Sequence, residues 1–135
     1  MLNEGSKATL KKTFASEDVH SFAVLSGDLN PIHSEGSDNV FGQPVVHGMH
    51  LSALIGAILG TKTPGPGTIL LKQSIEYVSP AFVGDEITAE VEVLTINRKG
   101  AATMRTTCVN QDGQTVLDGV AHVLVPRHLV RELSH

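Results

Sequence analysis

The segment His47-Gly48-Met49-His50-Leu51-Ser52-Ala53-Leu54-Ile55-Gly56-Ala57-Ile58-Leu59-Gly60 constrains this chain more than any other. At helical spacing, residues 48–60 are apolar nearly all the way round, so a helix there has to be buried on most sides. The run is too short to cross a bilayer and is bounded by glycine and polar residues, which predicts a core helix and no membrane span. Something must wrap it, and the downstream sequence supplies strands. Ile69, Leu71, Ser74-Ile75 and Tyr77 suggest one strand, ended by Ser79-Pro80. Ile87, Ala89, Val91 and Val93 alternate with Thr88, Glu90, Glu92 and Leu94; Ala102, Met104, Thr106 and Cys108 alternate with Thr103, Arg105 and Thr107. Arg98-Lys99-Gly100 reads as a turn and Asn110-Gln111-Asp112-Gly113-Gln114 as a hairpin. Val116 to Val125 is the last strand, ended by Pro126.

Upstream, Lys7 to Phe14 is consistent with an edge strand. Ser16 reads as an N-cap, with Glu17 and Asp18 in the first turn of a helix whose face carries Val19, Phe22, Ala23 and Ser26. Ser34 to Phe41 is polar and short, and Thr61 to Gly67 is a loop rich in helix breakers. One buried helix followed by a meander of three or four antiparallel strands is an α+β pattern. A curved sheet around that helix satisfies its apolarity. The 135 residues form one unit, with a core at about 7–126 and a tail, Arg127 to His135, expected to fray.

Charge narrows the function. With 10 basic and 14 acidic residues the chain carries a formal −4 and has no basic run, so nucleic acid is not an expected partner. The single cysteine, Cys108, excludes an internal disulfide and suits a reducing compartment; its strand position predicts a packed thiol. No hydrophobic signal segment precedes the domain, which predicts a cytoplasmic protein, or a mitochondrial matrix protein whose transit peptide has been removed.

Chemistry is concentrated in Ser26-Gly27-Asp28-Leu29-Asn30-Pro31-Ile32-His33. Pro31 has its φ fixed and no N–H, and it pushes Asn30 out of the helical region. The chain is therefore expected to leave a helix near Gly27 and run extended. A carboxylate beside an imidazole is a simple way to place a proton-transferring pair near neutral pH. A helix end followed by an Asx turn, with His33 at the surface, accommodates the same residues. Gly48, opening the apolar helix, offers a free N–H and the positive end of the helix dipole to an oxyanion; a plain core helix needs nothing more than its small size. His33, His47 and His50 could imitate a three-histidine zinc site, but the i, i+3 spacing and the missing carboxylate argue against a metal.

Gly-Asp-Leu-Asn-Pro-Ile-His (27–33), Phe41-Gly42-Gln43-Pro44-Val45-Val46-His47-Gly48-Met49 and Pro80-Ala81-Phe82-Val83-Gly84-Asp85 together resemble the MaoC-like branch of hot-dog-fold proteins. That branch includes R-specific enoyl-CoA hydratases and 3-hydroxyacyl-thioester dehydratases. The match runs from about Phe14 to Val125, and residues 59–67 also resemble members serving mitochondrial fatty-acid synthesis. The resemblance implies a hot-dog fold, a homodimer with joined sheets and acyl tunnels near the subunit interface, and no metal or organic cofactor. It implies Asp28 and His33 as the catalytic pair and Gly48 as the donor to the thioester oxygen. Asn30 then shapes the loop, His47 bonds it from the helix start, and Met49 and Ser52 lie at or behind the substrate site. His50 is expected at a polar margin of the helix, and Met49, Leu51, Leu54 and Ile58 are candidates for closing the acyl tunnel. Gly56 departs from the small polar residue often found near it in the family.

The implied substrates are trans-2-enoyl thioesters of CoA or acyl-carrier protein, in fatty-acid or polyhydroxyalkanoate metabolism. Lys62, Lys72, Arg98 and Lys99 are available to meet phosphates, or are ordinary surface charges. A hot-dog acyl-thioesterase and a non-catalytic acyl-thioester-binding module are the competing functions.

Overall fold

In the computed structural model, which describes residues 2–36 and 39–129, the strand alternation is realised face by face. The elements are β1 (Lys7–Thr13), α1 (Ser16–Ser26), a 3-10 turn (Pro31–His33), α2 (Gly48–Thr61), β2 (Ile69–Tyr77), β3 (Glu86–Ile96), β4 (Ala101–Val109) and β5 (Thr115–Leu124). Ile87, Ala89, Val91 and Val93 of β3 are buried, as are Ala102, Met104, Thr106 and Cys108 of β4. Antiparallel register sets Val93 opposite Met104 and Cys108 opposite Leu117, so one face of the sheet is apolar from strand to strand.

The sheet has five antiparallel strands in the order β1-β3-β4-β5-β2. The expected meander is β3-β4-β5. β2 does not precede it side by side: it pairs with β5 at the far edge, while β1 takes the other edge beside β3. Hairpin turns reveal neighbours in a sequence; a strand that follows a helix carries no such signal.

α2 lies in the concavity, touching β1, β2, β3 and β4. Leu51, Leu54, Ile55, Ile58 and Leu59 are buried there, each contributing about 1.5–3 kcal/mol. The helix is not buried on most sides, however. Met49, Ala53, Gly56 and Ala57 form an exposed strip, because a single sheet can cover only one side of a helix.

At α1 the cap is Ala15, not Ser16; the Asp18 carboxylate accepts from the Ala15 N–H at 3.0 Å, and that bond holds its pKa down. Of the predicted α1 face only Val19 is fully buried. Leu129 still packs on the core, and the expected fraying of the tail falls beyond it, outside the described residues.

Candidate active site

α1 ends at Gly27, whose φ of +80° suits glycine and whose N–H bonds Ala23 O at 2.9 Å. The segment after it is not extended as expected. Side chains two residues apart take over the backbone donors in series. Ser26 Oγ accepts from the Asp28 N–H at 3.1 Å, Asp28 Oδ1 from the Asn30 N–H at 3.2 Å, and Asn30 Oδ1 from the Ile32 N–H at 3.2 Å. Pro31 then begins the 3-10 turn, closed by the His33 N–H on Asn30 O at 3.2 Å. Asn30 itself obeys the pre-proline restriction, with φ −55° and ψ 125°. Helical turning resumes one residue later.

This ladder divides the Asp28 carboxylate. Oδ1 is occupied, and Oδ2 is left facing His33 Nε2 at 3.9 Å. That gap is too long for a direct hydrogen bond, but two bonds of about 2.8 Å meeting at a water oxygen span it. Asp28 is half exposed and the His33 side chain only 9 % exposed. His33 Nδ1 lies 2.7 Å from Val45 O. A carbonyl only accepts, so Nδ1 carries the hydrogen and the neutral ring presents a lone pair at Nε2.

The two other sequence motifs brace this geometry. The Val45 N–H bonds Ile32 O at 3.0 Å, the Val46 N–H bonds Ala81 O at 2.8 Å, and the Val83 N–H bonds Pro44 O at 3.2 Å. Asp85 secures the turn by accepting from the Phe82 N–H at 2.8 Å and from Gln111 Nε2 at 2.9 Å. His47 is buried, donates from Nε2 to Asp28 O at 3.0 Å, and stacks on His33 with centroids 3.5 Å apart.

Gly48 is the first residue of α2, so its N–H has no intrahelical acceptor. Its lack of a side chain answers a tight contact: a Cβ there would sit 2.8 Å from Tyr77 Cζ. The Tyr77 ring is pinned by its hydroxyl, 2.9 Å from Ser52 Oγ, which in turn donates to Gly48 O at 3.3 Å. Tyr77 is the site residue that sequence reasoning missed. It stood only as one member of an alternating strand, and nothing local tells which strand end meets the helix start.

A cavity of about 560 Å³ unites these groups. Asp28, His33, Gly48, Met49, Leu51 and Tyr77 line it, so Ser52 and Asn30 stand behind the wall and not in it. Leu54 and Ile58, candidates for closing a tunnel, are instead core. A second cavity of about 400 Å³ lies behind the loop, where Asn30 contributes, and shares only His33 with the first.

His50 is half-buried: its ring stacks on Phe22 at 4.4 Å and meets Phe14 edge-on at 4.6 Å, with the charges of Lys12 and Asp18 acting on it, and burial and then nearby His47 lower its pKa. Lys62 is used locally, Nζ donating to Thr9 O at 2.9 Å. Burial raises the Cys108 thiol to about 12, leaving it inert. Among the described residues the metal-capable group is Asp28, His33 and His47, with ligand atoms within 4.8 Å, and His50 has no part in it. His47 Nε2 donates to Asp28 O and His33 Nδ1 to Val45 O, so each ring already spends one nitrogen on a backbone carbonyl. No described helix is long and apolar enough to cross a membrane.

A five-stranded antiparallel sheet folded over one apolar helix, with an acid–imidazole pair lining the same cavity as that helix's first residue, defines an α+β protein of the hot-dog class. The chain belongs to the MaoC-like domain family, whose model matches residues 2–114. It is 43 % identical over 129 residues to the (R)-specific enoyl-CoA hydratase of Aeromonas caviae, covering 93 % of this chain and 96 % of that one. It is 34 % identical over 132 residues to a mitochondrial 3-hydroxyacyl-acyl-carrier-protein dehydratase of Solanum lycopersicum, covering 93 % and 79 %. Among solved structures, the A. caviae (R)-hydratase involved in PHA biosynthesis superposes with a TM-score of 0.89 at 43 % identity, covering 93 % of this chain and 98 % of that one.

Proposed function

We propose that this protein is a hydro-lyase that reversibly adds water to trans-2-enoyl thioesters of CoA or acyl-carrier protein, giving (R)-3-hydroxyacyl thioesters. The observation that carries this is the divided carboxylate. Asp28 Oδ2 and His33 Nε2 face each other across 3.9 Å, on the wall of the cavity that also holds Gly48. One water fits between two acceptors, donating one hydrogen to each, and its oxygen lone pair is left to attack C3. As the C3–O bond forms, the water O–H breaks and the proton passes to the pair, with Asp28 as base and His33 orienting the water. The C2=C3 electrons move toward the thioester oxygen, where the Gly48 N–H meets the developing charge. A proton delivered from the pair to C2 completes the addition. Loss of one oxyanion donor in such a site typically slows reaction by about 10²–10³-fold.

Asn30 keeps Asp28 Oδ1 occupied through its N–H and so aims Oδ2. Ser52 holds Tyr77, and Met49 borders the cavity mouth at 68 % exposure. The whole chain acts as one domain with its core at about 7–126, in a reducing aqueous compartment, by preference the cytoplasm.

A homodimer suits the exposed surfaces. β2 is a free sheet edge carrying exposed Ile69, Leu70 and Leu71, and α2 offers its uncovered strip of Ala53, Gly56 and Ala57. Edge-to-edge pairing through β2 covers both. Sedimentation should give twice the chain mass.

The deciding assay is crotonyl-CoA hydration with chiral product analysis. Loss of enoyl absorbance without free thiol, yielding the R product, is expected. Thiol release would make the protein a thioesterase, and binding without turnover a non-catalytic acyl-thioester-binding module.

A further inference from the structure

His47 touches both Asp28 and His33 and directly precedes Gly48, and the chemistry above leaves it unused. It is 2 % exposed, yet packing alone does not explain an imidazole there, since Nδ1 is shut in without a hydrogen-bond partner. A phenyl ring would fill the space without enclosing that atom. What imidazole supplies and a hydrocarbon cannot is the Nε2–H, which reaches Asp28 O at 3.0 Å across 19 residues of chain. That bond holds the backbone from which the carboxylate projects.

The ring faces do separate work. One supports His33, at 3.5 Å between centroids and 20° between planes. Phe22 meets the ring obliquely at 4.9 Å and 64°, limiting its movement. As N-cap of α2, His47 is also the covalent neighbour of Gly48. We propose that His47 is a positioning residue that sets the separation of Asp28 Oδ2 and His33 Nε2, holding the acid by its N–H and the imidazole by its ring face. The kinetic consequence rests on the hydratase reading above; the geometric one does not.

Two variants separate the two contacts. His47→Phe keeps a flat ring and loses the donor, whereas His47→Gln keeps an N–H near the Nε2 position and loses the ring face. In each we would measure kcat and KM on crotonyl-CoA, the thermal midpoint, and amide hydrogen exchange at Asn30, Ile32 and His33. For His47→Phe we expect a folded protein with kcat down about 10²-fold, the scale of a reacting group misplaced by about 1 Å, and KM little changed. Exchange at Asn30 and Ile32 should quicken, and His47→Gln should recover part of kcat. A folded His47→Phe with wild-type kcat and exchange would overturn the proposal. If His47→Phe does not fold, His47→Gln and His47→Asn carry the test. Asn falls short of Asp28 O, so equal kcat and exchange in those two would overturn it instead. If wild-type protein leaves crotonyl-CoA unchanged, the hydratase reading falls, while the exchange data still judge the positioning.

Discussion

The β3–β4–β5 meander and the segment from Gly27 to Gly48 satisfy their backbone groups in opposite ways. In the meander each strand bonds its neighbour, and side chains alternate freely between core and solvent. In the 27–48 segment, side-chain oxygens of Ser26, Asp28 and Asn30 accept the N–H groups of Asp28, Asn30 and Ile32, and His33 and His47 donate to distant carbonyls. A meander residue can therefore change without redirecting the chain, whereas a residue of the segment is part of the chain's path. The teaching is that stability and chemistry are held in different places. The sheet supplies apolar burial, and the segment spends polar groups on geometry.

Five single substitutions and one double variant press on that contrast. The largest effect is expected from Asp28→Asn and His33→Ala, each lowering crotonyl-CoA turnover by about 10²–10⁴-fold with a thermal midpoint near wild type. Near-normal turnover in both would dissolve the distinction at once. Next, Gly48→Ala drives a Cβ into the Tyr77 ring and should cost about 10²–10³-fold in kcat. Combining it with Tyr77→Ala should restore part of the loss; a double variant no better than Gly48→Ala would show that crowding is not what the glycine avoids.

In the meander the pattern should reverse. Met104→Ala, at a position with no exposure, is expected to destabilise by about 2–5 kcal/mol in a denaturant titration. The folded variant should keep wild-type kcat, and a kcat loss comparable to Gly48→Ala would blur the two regions.

The smallest effect concerns His50, between the regions. Burial of the ring, with His47 and Lys12 adding to it and Asp18 opposing, lowers its folded pKa below 6.5. As pH falls through that value the unfolded chain takes up the proton first, so the contribution of His50 is full above it and declines below. His50→Phe keeps a ring between Phe14 and Phe22, and its thermal midpoint should drop less than wild type between about pH 7 and pH 5. Parallel curves would remove His50 from the pH response.

Much of this was readable along the chain. Period-two alternation marked β3 and β4, Gly27 marked the C-terminal end of α1, and three motifs identified the family. Acid and imidazole were visible as a pair, but not the ladder that leaves only Asp28 Oδ2 free, because Asx-type turns compete with extended chain at similar local energies. The aromatic rings around His50 were not visible for a related reason: helical spacing gives a face without saying what the face meets.

Local signals thus determined the element types, their approximate ends and the α+β class, since periodicity, capping and turn chemistry act within a few residues; the hot-dog class and the catalytic pair came from the motifs' resemblance to a family. Tertiary structure alone decided that β2 joins β5, that α2 keeps an exposed strip, that Tyr77 lies over Gly48 and that His47 stacks on His33. Those contacts join residues far apart in the chain, and they exist only once the sheet has closed over the helix and brought its ends together.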